Sequence, residues 1–388
     1  MPPITVLHVI DSLRTGGAEQ QLALNMRHTD TGQFRHVVCS LSREARFTSA
    51  LRESGIPVVS LNLAPQHDYV RGIARLRQVV RERRPDILHV TLFRASLIGR
   101  AVGRLAGLPV LTSLVSPTYA PEWRIDDPHL HGPGVRIVYY VDRFTARAWG
   151  TWFLAISEAV KTSAVRQLGI PAERITVIPR GLSFDGQRPV PESDLTEARA
   201  FLGSGDRYPV ILSVGRLVPQ KGQRYAIAAM TRVVAAYPRA RLVIVGDGWM
   251  RNDLQASIDA LGLGDHVVLA GERRDVDRLL QAADLFVFPS LSEGFGVALL
   301  EALAAGRAAV VSRIPALVEV TDHGRVAVLT EPRSPEAIAE GLLRLAADRD
   351  EAARLGAAAA AWARERYDIK VSMQTLEALY RTLAARAA

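Results

Sequence analysis

The sequence predicts an α/β protein with two separate parallel sheets, and three observations carry that reading. Short apolar runs rich in Val, Ile and Leu alternate with helix-patterned segments, first over residues 4–179 and again over 211–330. A Pro-rich, acidic and aperiodic stretch, SFDGQRPVPESD from Ser183, separates the two series. At 388 residues the chain has the length of two or three domains, each large enough to bury its own core. Runs that are continuously apolar, rather than alternating, are what strands need when helices cover both faces of a sheet.

In the first series the predicted strands are ITVLHVI (4–10), HVVCSLS (36–42), PVVSLNL (57–63), DILHVT (86–91), PVLTSLVS (109–116), FLAIS (153–157) and ITVIP (175–179). Residues 117–134, PTYAPEWRIDDPHLHGPG, break the rhythm and read as a long loop, being too polar for a core strand. The second series is ILSVG, RLVIVG, HVVLAG, LFVFPS, AAVVS and RVAVLT. Ala-rich helices from 335 lead to a last helix whose Val371, Leu376, Leu379, Tyr380 and Leu383 are read as one apolar face. The resulting division is 1–181, a linker at 182–208, and 209–366, with 367–388 as a terminal helix.

Composition is that of a globular protein, with 48% hydrophobic residues. No signal-peptide pattern opens the chain, since the apolar run after Met1 is short and reaches His8 and Asp11. No window approaches the ~20 apolar residues of a membrane span. The single cysteine, Cys39, lies in a strand-like run and excludes a disulfide framework. Charge is uneven: residues 1–180 hold 23 Lys or Arg against 14 Asp or Glu, whereas the remainder holds 25 against 26. Six arginines, at 71, 75, 77, 81, 83 and 84, share a helical segment with an apolar stripe of Val70, Ile73, Leu76, Val79 and Val80. That segment is either a solvated helix face or a surface drawn to an anionic membrane. Without aromatic interleaving or a recognition helix, nothing favours nucleic acid.

Two segments of the second half carry chemistry. SLSEGFGVALLEALAAG (290–306) follows a buried strand and places Glu293 and Glu301 either side of a helix start, with Gly294 and Gly296 allowing close backbone approach. VILSVGRLVPQKGQRYAI (210–227) sets Gly215, Arg216, Lys221 and Gly222 on a loop after a strand, one planar fork and one mobile point charge suited to a diphosphate. Only three of the 48 basic residues are lysines, so a lysine in this loop is notable. Each segment also has a plain reading, as a strand-to-helix turn and as two solvated cations.

Taken together, GR followed by KG, then LVIVGDG, then AADLFVFPSLSEGFGVALLEALAAG resemble the donor-binding half of glycosyltransferase family 4, and IDSLRTGGAEQQL (10–22) resembles that family's amino-terminal Gly-Gly-x-Glu loop. The resemblance covers almost the whole chain. It implies a GT-B fold, two Rossmann-like domains facing each other across a cleft, and transfer of a sugar from a nucleotide donor with retention at the anomeric carbon. It assigns Arg216 and Lys221 to the leaving diphosphate and, with Glu293, to catalysis. Glu293 would hold the donor sugar and Glu301 the ribose, while Gly16, Gly17, Gly215, Gly294 and the amides at Phe295 and Gly296 line the donor. Glu19 and His89, the latter read as a strand-end residue, would face the acceptor, as would the loop at 117–134, and the last helix would cross back onto the first domain. The further expectations are no metal, no cofactor beyond the nucleotide sugar (a UDP-sugar ahead of a GDP-sugar), and a cytoplasmic enzyme, in glycolipid or polysaccharide synthesis, with peripheral contact to anionic membrane.

Three departures from the family pattern stand out. Thr112, Ser113 and Leu114 replace a Thr-x-His; Arg180-Gly181 replaces Asn-Gly; and Glu319 lacks the glycines that precede its counterpart. They leave open a non-catalytic sugar-nucleotide-binding subunit and a GT-B epimerase or phosphorylase. A nicotinamide dehydrogenase is excluded by the missing Gly-x-Gly-x-x-Gly after the first strand.

Overall fold

The computed structural model describes residues 2–14, 16–43, 46–64, 68–120, 133–185 and 190–386; most of the loop expected at 117–134 lies outside the described residues. Seven strands form the first sheet: β1 (Ile4–Ile10), β2 (Phe34–Ser40), β3 (Val58–Ser60), β4 (Ile87–Thr91), β5 (Val110–Leu114), β6 (Trp152–Ala155) and β7 (Ile175–Val177), in the order β3-β2-β1-β4-β5-β6-β7. Six form the second: β8 (Val210–Val214), β9 (Arg241–Val245), β10 (Val267–Gly271), β11 (Leu285–Phe288), β12 (Ala308–Ser312) and β13 (Val328–Thr330), in the order β10-β9-β8-β11-β12-β13. All pairings between these strands are parallel.

Both sheets reverse their winding once, between β1 and β4 and between β8 and β11. In such sheets the crevice for ligands lies beyond the carboxyl ends of the strands at that reversal. The central strands are buried on both faces, since consecutive residues that point to opposite faces are alike buried: Val6 and Leu7, and Ile87 and Leu88, in the first sheet, Ile211 and Leu212, and Phe286 and Val287, in the second.

The chain forms two compact units. The first sheet, its helices up to Ser183 and the last helix, Ile369–Ala385, make one; Phe184–Tyr367 make the other. A helix, Glu192–Leu202, occupies part of the span read as linker and packs on helix Val276–Ala282 of the second unit. Only Ala198 and Leu202 of that helix are buried, too few to give its sequence a visible period.

Two predicted helix faces are corrected. In the last helix the buried set is Ile369, Met373, Leu376, Glu377, Leu379, Tyr380 and Leu383, whereas Val371, nearly half a turn away, is 51% exposed. Along Tyr69–Arg83 the buried residues are Gly72, Leu76, Val79 and Val80, and Val70 is 83% exposed at the open first turn.

His89 is corrected as well. It lies in the middle of β4, level with His8 of β1, not at a strand end. Its Nδ1 meets the Tyr380 hydroxyl at 2.6 Å and its Nε2 the Ser113 hydroxyl at 2.7 Å, so both ring nitrogens are engaged by protein. Its ring lies 5.0 Å from that of His8, whose Nε2 is 2.9 Å from Nδ1 of His36. All three histidines are buried beneath the last helix.

Burial holds His36 down at about 4; it also lowers His89, to about 3, aided by the charge of His36. A base whose folded pKa is depressed contributes stability that is present above its unfolded value, about 6.5, and lost as pH falls toward the folded one. Each such histidine therefore removes up to about 1.4 kcal/mol per pH unit below that point. Thermal unfolding of the wild type and of His36→Gln at about pH 7 and about pH 5 checks this. The variant should lose less stability on acidification, and an equal loss in both proteins would contradict it.

Candidate functional site

Strand β8 ends at Val214, and the chain turns through Gly215 and Arg216 to a short 3-10 turn, Pro219–Lys221, before helix Gln223–Ala236. Strand β11 ends beside it and leads through Pro289 to helix Val297–Ala304. Gly222, at φ +64°, lies where these two loops meet; a Cβ there would collide with the Pro289 carbonyl oxygen. Glycine alone allows that approach. The Leu291 N–H donates to the Gln220 carbonyl at 2.8 Å and fastens the loops together.

This junction brings Lys221 to Glu293. The ammonium donates to Oε1 at 2.5 Å, and the Ser290 hydroxyl donates to the same oxygen at 2.8 Å. The two charged side chains are 20% and 10% exposed, well shielded for an ion pair at a loop edge. The ammonium also lies 5.5 Å from the Phe288 ring centroid. Gln223 donates to the Arg216 carbonyl at 2.9 Å and fixes the loop backbone, while Arg216 itself is exposed. An exposed planar cation and a paired ammonium on one loop, at the reversal between β8 and β11, are chemically suited to a diphosphate with hydroxyls attached.

Ser290 was not singled out from sequence. Its signal was present, because Ser-x-x-Glu just before a helix is a pattern in which the serine and glutamate side chains serve a turn together. Phe295 is buried, its ring 5.4 Å from that of Tyr367, so its side chain anchors the turn while its amide stays at the helix start. Gly294 is buried in the same turn, and Gly296 precedes the helix at φ +92°.

Glu301 projects from helix Val297–Ala304. It is half-buried, and among the described residues its carboxyl has no hydrogen-bond partner. Burial, with the charge of Asp277 adding to it, pushes its pKa up to about 7. A polar acceptor that the protein leaves unsatisfied is suited to a ligand hydroxyl.

The first unit holds the remaining predicted residues. Gly16 precedes helix Gly17–His28 in an extended conformation, and a Cβ there would collide with the Glu19 carboxylate. Glu19 is 7% exposed and lies 3.4 Å from the Ser12 hydroxyl; burial raises its pKa, while Ser12 and the Arg180 charge draw it down. Arg180, also buried, donates to the Gly17 carbonyl. Asp11 accepts from the N–H groups of Ala95 (2.6 Å) and Arg94 (3.3 Å), capping helix Phe93–Ala106. Ser12, Glu19 and Arg180 thus fix one another and the backbone at Gly17 after β1. A small cavity beside it is lined in part by Ala18, Gln21, His89, Ser113, Arg180 and Met373.

Comparison with known proteins gives the family. The pattern described as Glycosyl transferase 4-like domain matches residues 5–181, and the pattern described as Glycosyl transferases group 1 matches 194–362. The Escherichia coli UDP-Gal:alpha-D-GlcNAc-diphosphoundecaprenol alpha-1,3-galactosyltransferase is 30% identical over 270 residues, 68% of this chain and 67% of that protein. The chain belongs to glycosyltransferase family 4. The alpha-D-kanosaminyltransferase of Streptomyces kanamyceticus is 26% identical over 291 residues, 73% of this chain and 72% of that protein. Among solved structures, Anabaena Alr3699/HepE in complex with UDP-glucose superposes with a TM-score of 0.82 at 24% identity, over 98% of this chain and 100% of that one. The fold is therefore GT-B, and the protein is a glycosyltransferase.

In this family 4 glycosyltransferase the three departures from the family pattern fall in both units. Ser113, within the altered Thr-x-His, holds His89, and Arg180, in place of the expected asparagine, holds the Gly16-Gly17 loop. Tyr367 donates to the Glu319 carbonyl at 3.5 Å, behind the segment that has lost its glycines. These residues have been put to use within the first and second units respectively.

Proposed function

We infer that the protein transfers a glycosyl group from a nucleoside-diphosphate donor to an acceptor hydroxyl, retaining the configuration at the anomeric carbon. The observation that carries this is the Lys221–Glu293–Ser290 cluster at the carboxyl ends of β8 and β11, with Arg216 exposed beside it. In the reaction the bond from the anomeric carbon to the β-phosphate oxygen breaks and a bond to the acceptor oxygen forms on the same face. The acceptor's proton passes to the departing diphosphate. Negative charge grows on that diphosphate, where Arg216 and Lys221 stabilise it, and positive charge grows on the sugar ring.

Glu293, already oriented by Lys221 and Ser290, is placed to accept from sugar hydroxyls, and Glu301 from the ribose. Two protein cations at the leaving group supply the charge that a metal would otherwise provide, so transfer should survive EDTA. A UDP-sugar is the favoured donor: the E. coli relative is named for UDP-Gal, and Alr3699/HepE was crystallised with UDP-glucose. The same relative is named for a diphosphoundecaprenol acceptor, which supports a lipid-linked saccharide as acceptor here.

A thermal-shift panel of UDP-, GDP-, dTDP- and ADP-sugars in EDTA tests donor and metal together. A donor at about 100 times its dissociation constant stabilises the fold by ~2.7 kcal/mol. The expected result is a shift with a UDP-sugar that magnesium does not enlarge. A shift that appears only with magnesium, or only with a GDP-sugar, would overturn the corresponding part of the assignment.

A further inference from the structure

Helix Pro133–Trp149 is built the wrong way round for a helix of a globular domain. Its outward side carries Ile137 (67% exposed), Tyr140 (60%), Val141 (44%) and Phe144 (60%), at spacings of three, four and seven residues that make one continuous stripe. Its inward side carries charge. Asp142 is buried and accepts from Arg100 of helix Phe93–Ala106 at 2.6 Å, and Arg100 also donates to the Thr145 hydroxyl at 3.2 Å. Arg100 is 1% exposed, one of the most deeply buried side chains of the unit.

A buried ion pair is weak evidence of stability, because removing two charges from water offsets most of their attraction. Its effect here is on orientation: rolling the helix to bury the apolar stripe would expose that stripe's counterpart and break the Arg100–Asp142 pair inside the fold. Sequence patterning alone would place the stripe in the core. The structure holds it in solvent, where a contiguous apolar strip marks an interaction surface.

Charge indicates what covers it. Arg136 and Arg147 are exposed along one edge of the stripe, and the first 180 residues carry 23 basic against 14 acidic groups. A helix with aromatic and aliphatic residues on one side and arginines at its border lies in the plane of a membrane interface. Rings such as those of Tyr140 and Phe144 suit the headgroup boundary. None of the described helices is long and apolar enough to cross a membrane, so contact of this kind would be at the surface.

We propose that the outer face of helix Pro133–Trp149 docks this enzyme on an anionic lipid bilayer. The stripe, not the arginine-rich helix Tyr69–Arg83, supplies the insertion; that helix buries its own apolar side and exposes mainly arginines, which add attraction. The proposal does not depend on the donor assignment.

The test is co-sedimentation of the full-length protein with phosphatidylcholine vesicles, with and without phosphatidylglycerol. Wild-type protein should sediment with the anionic vesicles, and Ile137→Ser combined with Phe144→Ser should weaken that binding at least about tenfold. Arg136→Gln with Arg147→Gln should weaken it by about thirtyfold, since each basic group near the leaflet contributes roughly 1 kcal/mol. Both residues of the first pair are already exposed, so neither variant opens a cavity, and an unchanged thermal midpoint and far-UV circular dichroism spectrum confirm the fold without reference to the donor. Failure of wild-type protein to bind anionic vesicles, or equal binding by the serine variant, would overturn the proposal. So would a wild-type dimer that the serine variant converts to monomer, which would make the stripe an interface between two copies.

Discussion

Lys221→Ala is expected to lower kcat/KM by about 2–4 kcal/mol, a loss of roughly thirtyfold to several hundredfold. The substitution acts twice. It removes a cation from the diphosphate that gathers charge as the glycosyl bond breaks, and it leaves the shielded Glu293 carboxylate with Ser290 as its remaining partner of the two that share Oε1. Lys221→Arg separates the effects, because it keeps the charge while replacing a compact ammonium by a planar fork. Partial activity in Lys221→Arg and near-complete loss in Lys221→Ala are the expected pair. Full activity in both, measured with the donor selected by thermal shift, would remove this loop from the catalytic account.

Glu301→Gln should make the unliganded protein more stable above neutral pH and, at the same time, a poorer binder of nucleotide. The carboxyl is raised to about 7 by burial and by Asp277, so the folded protein keeps a proton that the unfolded chain has released from about 4.5 upward. An acid with a raised folded pKa contributes full stability below its unfolded value and loses it as pH rises through the folded one. Glutamine carries no such penalty. Midpoints of wild type and variant should converge near about pH 4.5, separate as pH rises toward about 7 and stay apart above it, the variant unfolding later. Binding runs the other way. A hydrogen bond to a charged acceptor is worth about 1.5–3 kcal/mol, so UDP should bind the variant roughly ten- to a hundredfold more weakly above pH 7. A 2′-deoxyribose nucleotide should bind the wild type more weakly and lose little further affinity in Glu301→Gln. Equal midpoints at about pH 8, or an undiminished penalty for the deoxy nucleotide in the variant, would contradict the role.

Much of this was legible from residue order. All thirteen strands stand where apolar runs were found, because strands covered on both faces leave continuous hydrophobic text. The Lys221 and Glu293 loops could each be marked from residue order, since both lie just past strand ends and both contain glycine, whereas their pairing with each other appears only in the structure. What escaped was decided by long-range partners. His89 reads as a strand-end residue until β1, β2 and the last helix enclose it with His8, His36 and Tyr380. Val70 and Val371 look like core residues, yet one lies at an open helix start and the other on the far side of its helix. In helix Pro133–Trp149 the buried Asp142 is paired with Arg100 of another helix, a partner that no local pattern announces.

The central claim is that the loops ending β8 and β11 form the diphosphate site. Calorimetric titration tests it most directly, using wild-type protein, the Arg216→Ala/Lys221→Ala double variant, and the nucleoside diphosphate of the donor that the thermal-shift panel selects. Wild-type protein is expected to bind, and the double variant, without either cation, to bind at least about a hundredfold more weakly while still unfolding cooperatively. Equal affinity in the two proteins would contradict it.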